Sequence, residues 1–302
     1  MTVAMFNEDL IRDLARQRVV LFLGAGVSSS AEIGGDHAFK GWPDFLSSAA
    51  LSRPEPLKTQ VNKLICARDY LLACELLQVD YGDAWGDIVT EEYGRAATPS
   101  HLHEKLISLG QRIIITTNFD KLIESAWTAS IKPGDRYFKT ITRVDSSIFK
   151  ILKDHDTPYV IKIHGSIDDT SSLVFSRSEY IRHAFGNENY SLFIDSLLLN
   201  YTFLYVGFSM DDPAILSLME LYALRYPGAR PHYIVSGDDV PENIREIHKK
   251  LRKLIAIPYS KAGNHAELPL VIERLSLAVK DKRREFVANE LSASLSEVGN
   301  LV

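Results

Sequence analysis

The sequence predicts a doubly wound α/β fold, a Rossmann-like parallel sheet with helices on both faces. Two observations carry that reading. Short, predominantly apolar runs, such as VVLFL, YVIKI and TFLYV, recur along the chain and are separated by segments of helical periodicity. Strands buried on both faces show such apolarity rather than alternation. The second observation is positional. Glycines and polar residues fall just beyond the ends of four of these runs, where open parallel sheets bind ligands.

Taken in order, Asn7 is placed to cap a short helix over EDLIRDLARQ. VVLFL, residues 19–23, is the first strand and closes on Gly24. From Pro43 to Gly110 the pattern is helical, with Val61, Leu64, Ile65, Leu72 and Leu76 near helical spacing. Cys66 and Cys74, eight residues apart, are expected on one face of one helix as buried thiols. TPSHLHEKLISLG opens on cap-like residues and ends at a C-terminal glycine, Gly110. RIIIT, ending at 116, is the second strand and enters a loop at Thr117 and Asn118; a helix over KLIESAWTA follows. Residues 131–157 are polar and show no clear element.

YVIKIHG reads as a third strand ending at His164 and Gly165. SLVFSRSEYIRHAF reads as a strand, a turn and a helix, and TFLYVGF as a strand ending at Gly207. PHYIVSG and KLIAIPYS are strands flanking a helix over PENIREIHKKL, and the chain is helical from LPLVIERL to near its end. The expected organisation is one α/β domain over residues 1–280 with a helical insert at about 44–110, then a C-terminal helix or tail over 281–302.

Composition narrows the function classes. With 46% hydrophobic and 24% charged residues, the chain has material for an ordinary core, and disorder is excluded as its main state. Lys and Arg number 34 against 39 Asp and Glu, a net charge of -5, which argues against direct nucleic-acid binding. Two cysteines exclude a disulfide framework and a four-cysteine zinc module. No apolar run approaches the ~18 residues of a membrane span, and MTVAMFNEDLIRDLARQ has no signal-peptide stretch. A cytoplasmic protein without membrane contact is expected.

The four strand ends carry the chemistry. In LGAGVSSS, glycines after a strand allow a tight turn and a close approach of backbone amides to a phosphate. A dinucleotide fingerprint would have a third glycine where Ser29 stands, so a ligand-free turn fits equally. In TTNFD, Asn118 offers donors and an acceptor and Asp120 accepts, although Asn-Phe-Asp also suits a helix start. KIHG places His164 at a strand end, and VGFSMDDP puts Asp212 before Pro213 as an N-cap before an N1 proline.

Together, GAGVS, TTNFD, KIHG, SRSEY and VGFSMDDP resemble the sirtuin-like family over roughly residues 18–260. The resemblance is to its zinc-free bacterial branch, whose members act in anti-phage defence. It implies NAD as substrate, with Gly24, Ala25, Gly26 and Ser28 holding the pyrophosphate. Asn118 and Asp120 would lie beside the nicotinamide ribose and carboxamide, and His164 would be the catalytic histidine near the ribose hydroxyls. Gly207, Ser209 and Asp212 would face the adenosine half. Asn118 and His164 are thus the implied catalytic pair.

The implied activity is NAD+ hydrolysis to nicotinamide and ADP-ribose, as NAD depletion in abortive infection. An enzyme of that kind needs restraint. The resemblance implies a homo-oligomer and a separately encoded partner, a HerA-type ATPase or an Argonaute-like protein, with the insert and C-terminal helix as contact surfaces. Two departures bear on the alternatives. Sirtuin deacylases carry four zinc-binding cysteines after the HG motif, whereas SIDDTSSLVFSRSEY follows here with none, so no zinc is expected. The usual segment after the glycine loop is replaced by a longer route containing Trp42, Pro43 and Phe45. The alternatives are an NAD-dependent protein deacylase and a non-catalytic NAD or ADP-ribose sensor, with a hydride-transferring dehydrogenase more distant.

Overall fold

The computed structural model describes residues 6–33, 36–37, 39–210 and 212–299. The last three residues of the expected tail lie outside that set. Asn7 caps the helix Glu8–Ala15, its Oδ1 accepting the Asp9 amide at 2.8 Å. β1 (Val19–Leu23) follows, then a two-residue ribbon of β2 (Glu32–Ile33) and β3 (Asp36–His37). Five helices, from Trp42–Ala50 to His101–Ser108, separate these from β4 (Ile113–Thr116). The rest alternates β5 (Lys139–Ile141), β6 (Tyr159–Lys162), β7 (Thr202–Val206), β8 (His232–Gly237) and β9 (Leu254–Tyr259) with helices.

Seven strands form one sheet in the order β5-β6-β4-β1-β7-β8-β9, and every pair is parallel. After β1 the chain builds outward through β4; after β6 it returns to β7 on the other side of β1. The strand order therefore reverses between β1 and β7, which is where such sheets open a ligand crevice. Register makes the crevice level. Leu23 lies opposite Thr116 and Val206, and Thr116 opposite Lys162, so four strands end in line.

Both faces of the sheet are covered, as uniformly apolar strands require. Val20, Phe22, Ile113 and Ile115 enter one core, and Val19, Leu21, Leu23 and Ile114 the other, following the two-residue alternation of side chains. A third core, around Phe45, Leu46, Trp85 and Val89, lies among the helices between β3 and β4 and includes Phe119 and Phe175 from the segments that follow β4 and β6.

Several local expectations are corrected. Cys66 and Cys74 do not share a helix: Cys66 ends Glu55–Cys66 and is exposed, while Cys74 is buried in Tyr70–Tyr81. The break lies at Arg68, whose φ of +59° is left-handed, and Asp69 then caps the second helix through the Leu72 amide. SLVF forms no strand. Val174 donates to the His164 carbonyl at 3.0 Å, and this stretch joins no ladder. The third strand stops at Lys162, short of His164. β5 emerges from the unassigned polar stretch as an edge strand, mostly exposed and so without an apolar signature.

Burial holds His103, His183 and His232 neutral. Desolvation lowers His232 to about 3, and His103 and His183 to about 4, from the usual value near 6.5. His232 Nδ1 accepts the Phe203 amide, and His103 Nδ1 accepts the Ser100 amide. Below pH 6.5 the unfolded chain takes up protons that the folded one refuses, so stability falls as pH drops from about 6.5 toward 4. Urea midpoints across that range should decline steadily; a flat profile would contradict the burial of these rings.

Candidate functional site

The level strand ends frame a cleft of about 640 Å³, within the range of small-molecule and cofactor sites. Ala25, Gly26 and Ser28 line it from the β1 loop, Asn118 and Asp120 from the β4 loop, His164 from beyond β6, and Ser209 and Asp212 from the β7 loop. Eight of the ten residues singled out in the sequence therefore meet at one surface. Gly24 and Gly207 are not among its lining residues, but both hold the loops that line it. Gly24 donates its amide to the Val206 carbonyl at 3.0 Å, and Gly26 to the Gly207 carbonyl at 2.9 Å. These two amides are spent on joining the β1 and β7 loops, so the glycines act here through close packing of backbone on backbone.

Asn118 has one fixed orientation. Its Nδ2 donates to the Gly24 carbonyl at 3.0 Å and to Ser28 Oγ at 2.7 Å, using both amide hydrogens. A carbonyl can only accept, so the amide cannot be flipped, and Oδ1 is the side-chain atom left to meet a ligand. Ser28 in turn donates to Asp120 Oδ2 at 2.6 Å, and Asp120 Oδ1 accepts the Leu122 amide at 2.9 Å. The Asn118 amide donates to Thr116 Oγ1, which donates to the Leu23 carbonyl. β1 and β4 thus hold Asn118 from both sides.

Beneath this loop Lys162 is fully buried, bonded to Glu124 Oε1 at 2.9 Å and to the Asp120 carbonyl. A buried ion pair of this kind anchors the turn that carries Asp120.

The His164 imidazole faces Asp212, with Nε2 3.4 Å from Oδ2. Burial pushes the ring's pKa down, and the neighbouring carboxylate opposes that. Asp212 also caps Pro213–Arg225, as the sequence predicts, accepting the Ala214 and Ile215 amides. The facing wall is aromatic. Phe119 stacks on Phe175 with centroids 4.3 Å apart, and Trp42 meets both edge-on. Phe39, Leu71, Ile181, Phe185 and Phe208 complete a mostly apolar lining.

Sequence reasoning missed Tyr70, Phe119 and Tyr180 as cleft residues. Tyr180 lay inside SRSEY without a signal of its own, and its partner Asp212 is 32 positions away. Among the described residues no group of three His, Cys, Asp or Glu is disposed to hold a metal ion. Nor is any described helix long and apolar enough to cross a membrane.

Residues 112–255 match the family model of the SIR2-like domain, a span that includes the β4, β6 and β7 ends of the cleft. The NAD(+) hydrolase ThsA of Enterococcus faecium is 29% identical over 238 residues, covering 76% of this chain and 45% of that protein. The NAD(+) hydrolase ThsA of Bacillus cereus (strain MSX-D12) is 24% identical, covering 93% and 58%. Defense-associated sirtuin 2 of Bacillus subtilis is 20% identical, covering 90% and 26%. The chain spans about half the length of the first two relatives and about a quarter of the third.

Proposed function

We propose that this chain, whose residues 112–255 match the model of the SIR2-like domain, hydrolyses NAD+ at the nicotinamide–ribose bond, releasing nicotinamide and ADP-ribose. The observation that supports this most directly is the shared lining of one apolar cleft by an oriented asparagine acceptor and a buried histidine. The relatives named as NAD(+) hydrolases support the same reaction.

In this reaction the oxygen of water bonds to the ribose anomeric carbon. The glycosidic electron pair passes to the nicotinamide nitrogen, which leaves as a neutral ring. The water proton leaves through the protein. Because the departing ring starts cationic, no acid is needed to expel it. The transition state resembles an oxocarbenium ion, as in glycoside hydrolysis. Asn118 Oδ1 accepts from the attacking water or a ribose hydroxyl, and His164 takes the proton. The aromatic wall excludes bulk water and so strengthens both contacts.

Ala25, Ser28 and Ser209 are assigned to the dinucleotide, while Gly24, Gly26 and Gly207 shape the loop junction that receives it. Asp120 is assigned to the nicotinamide side, acting through Ser28. The biological setting we propose is NAD depletion in the bacterial cytoplasm during phage defence, in keeping with the relative named a defence-associated sirtuin. Restraint by self-assembly or by a HerA-type or Argonaute-like partner completes the proposal. The helical insert at about 44–110 and the tail from 281 are its proposed contact surfaces.

Incubating the chain with NAD+ and separating the products by chromatography tests the reaction, with and without a candidate ATPase. Nicotinamide and ADP-ribose are expected without any peptide. Turnover only with an acyl-lysine peptide would make the chain a deacylase. Tight binding without product would make it a sensor.

A further inference from the structure

The environment of His164 contains a carboxylate that is locked in place. Asp212 Oδ1 accepts the Tyr180 hydroxyl at 2.6 Å, the Ala214 amide at 3.1 Å and the Ile215 amide at 3.0 Å. The Ala214 amide is shared with the Tyr180 hydroxyl oxygen at 2.8 Å, so hydroxyl, carboxylate and helix start interlock and leave Asp212 little freedom to rotate, with Oδ2 toward His164 Nε2. That nitrogen is buried and has no hydrogen-bond partner at the 3.4 Å separation. The ring is confined from its sides as well. Tyr180 meets it edge-on at 5.9 Å and His183 at 6.3 Å, with Tyr190 behind His183 at 5.0 Å. Burial keeps both tyrosines protonated and His183 neutral, so Asp212 is the carboxylate among the groups around this imidazole.

We infer that Asp212, tethered by Tyr180 and by the first turn of Pro213–Arg225, is the positioning residue of His164: it orients the imidazole and stabilises the positive charge the ring gains on taking a proton. The inference rests on the proposed hydrolysis for its catalytic meaning. It gives Asp212 a different task from contact with the adenosine half. With Nε2–H pointed at Asp212, Nδ1 is the basic nitrogen, and the proton from water or a ribose hydroxyl comes to rest there. Without the carboxylate, the imidazolium would form in an apolar enclosure with no counter-charge.

Asp212→Asn separates this role from helix capping, because asparagine caps about as well as aspartate. The His164 resonance, assigned by its loss in His164→Gln, is followed by NMR through a pH titration. In Asp212→Asn it should titrate at lower pH than in the unmodified chain, with the thermal midpoint nearly unchanged. NAD cleavage should fall by about 10-fold or more, with the acid limb of its pH profile moved the same way. If asparagine is not tolerated, Asp212→Ser, another capping residue, repeats the comparison. An identical His164 titration in the variant, or none in either protein, overturns the inference. The titration needs no turnover, so the two ideas fail separately: absence of NAD cleavage by the unmodified chain removes the hydrolysis reading and leaves the pairing intact, while wild-type cleavage by His164→Gln removes the proton-accepting role of that histidine.

Discussion

Asn118→Ala and His164→Ala are each expected to lower the proposed NAD cleavage by about 100-fold or more, the scale of losing a positioned acid–base or water-orienting group. For Asn118 the argument is geometric. Both Nδ2 hydrogens are committed to Gly24 and Ser28, so the side chain presents an acceptor whose direction is set by two strands. Alanine removes the acceptor and leaves the Gly24 carbonyl and Ser28 hydroxyl without that donor. Asn118→Asp is no rescue, because a carboxylate cannot donate to the Gly24 carbonyl and brings a second negative charge close to Asp120. For His164, alanine removes the proton acceptor and leaves Asp212 Oδ2 facing an apolar gap. Initial rates of nicotinamide release by the folded variants, checked by circular dichroism, give the comparison. Wild-type-like turnover in both would remove the site assignment.

Gly207→Ala damages stability and cleft together. Gly207 sits at φ +62°, where an L side chain is strained by roughly 1–2 kcal/mol. A Cβ there would stand 2.5 Å from the Val27 nitrogen and 2.8 Å from the Gly26 carbonyl carbon. Both are backbone atoms and cannot swing aside, so overpacking adds about 1–3 kcal/mol. A total loss of about 3 kcal/mol is expected in urea unfolding. The β1 and β7 loops would be forced apart where they share the Gly26–Gly207 hydrogen bond, and NAD cleavage should fall more than 10-fold. Gly228→Ala is the control, since nothing lies within 4 Å of a Cβ at that position. A Gly207→Ala protein as stable as the control would show that the junction is looser than described.

Much of this architecture was readable along the chain, because its causes are local. β1, β4 and β7 announce themselves by uninterrupted apolar runs, and Asn7 and Asp212 by cap chemistry within two or three residues of the amides they hold. β5 was illegible for the converse reason: an edge strand has one neighbour and needs no apolar signature. The helix break at Arg68 escaped notice because periodicity continues across it, and only the Asp69 cap hinted at a new start.

The residue types at the four strand ends, and hence the family likeness, were settled by sequence. Which partners each side chain meets there was decided by the fold. Ser28 and Asp120 lie 92 positions apart, and Asn118 and Gly24 lie 94 apart. Such pairs meet because parallel register levels Leu23 with Thr116 and Val206. Asparagine became an acceptor, and two glycines became a backbone junction, through partners that sequence spacing does not reveal. Hydrogen bonds and close packing depend on distances in space, and those are set only once the strands are laid side by side.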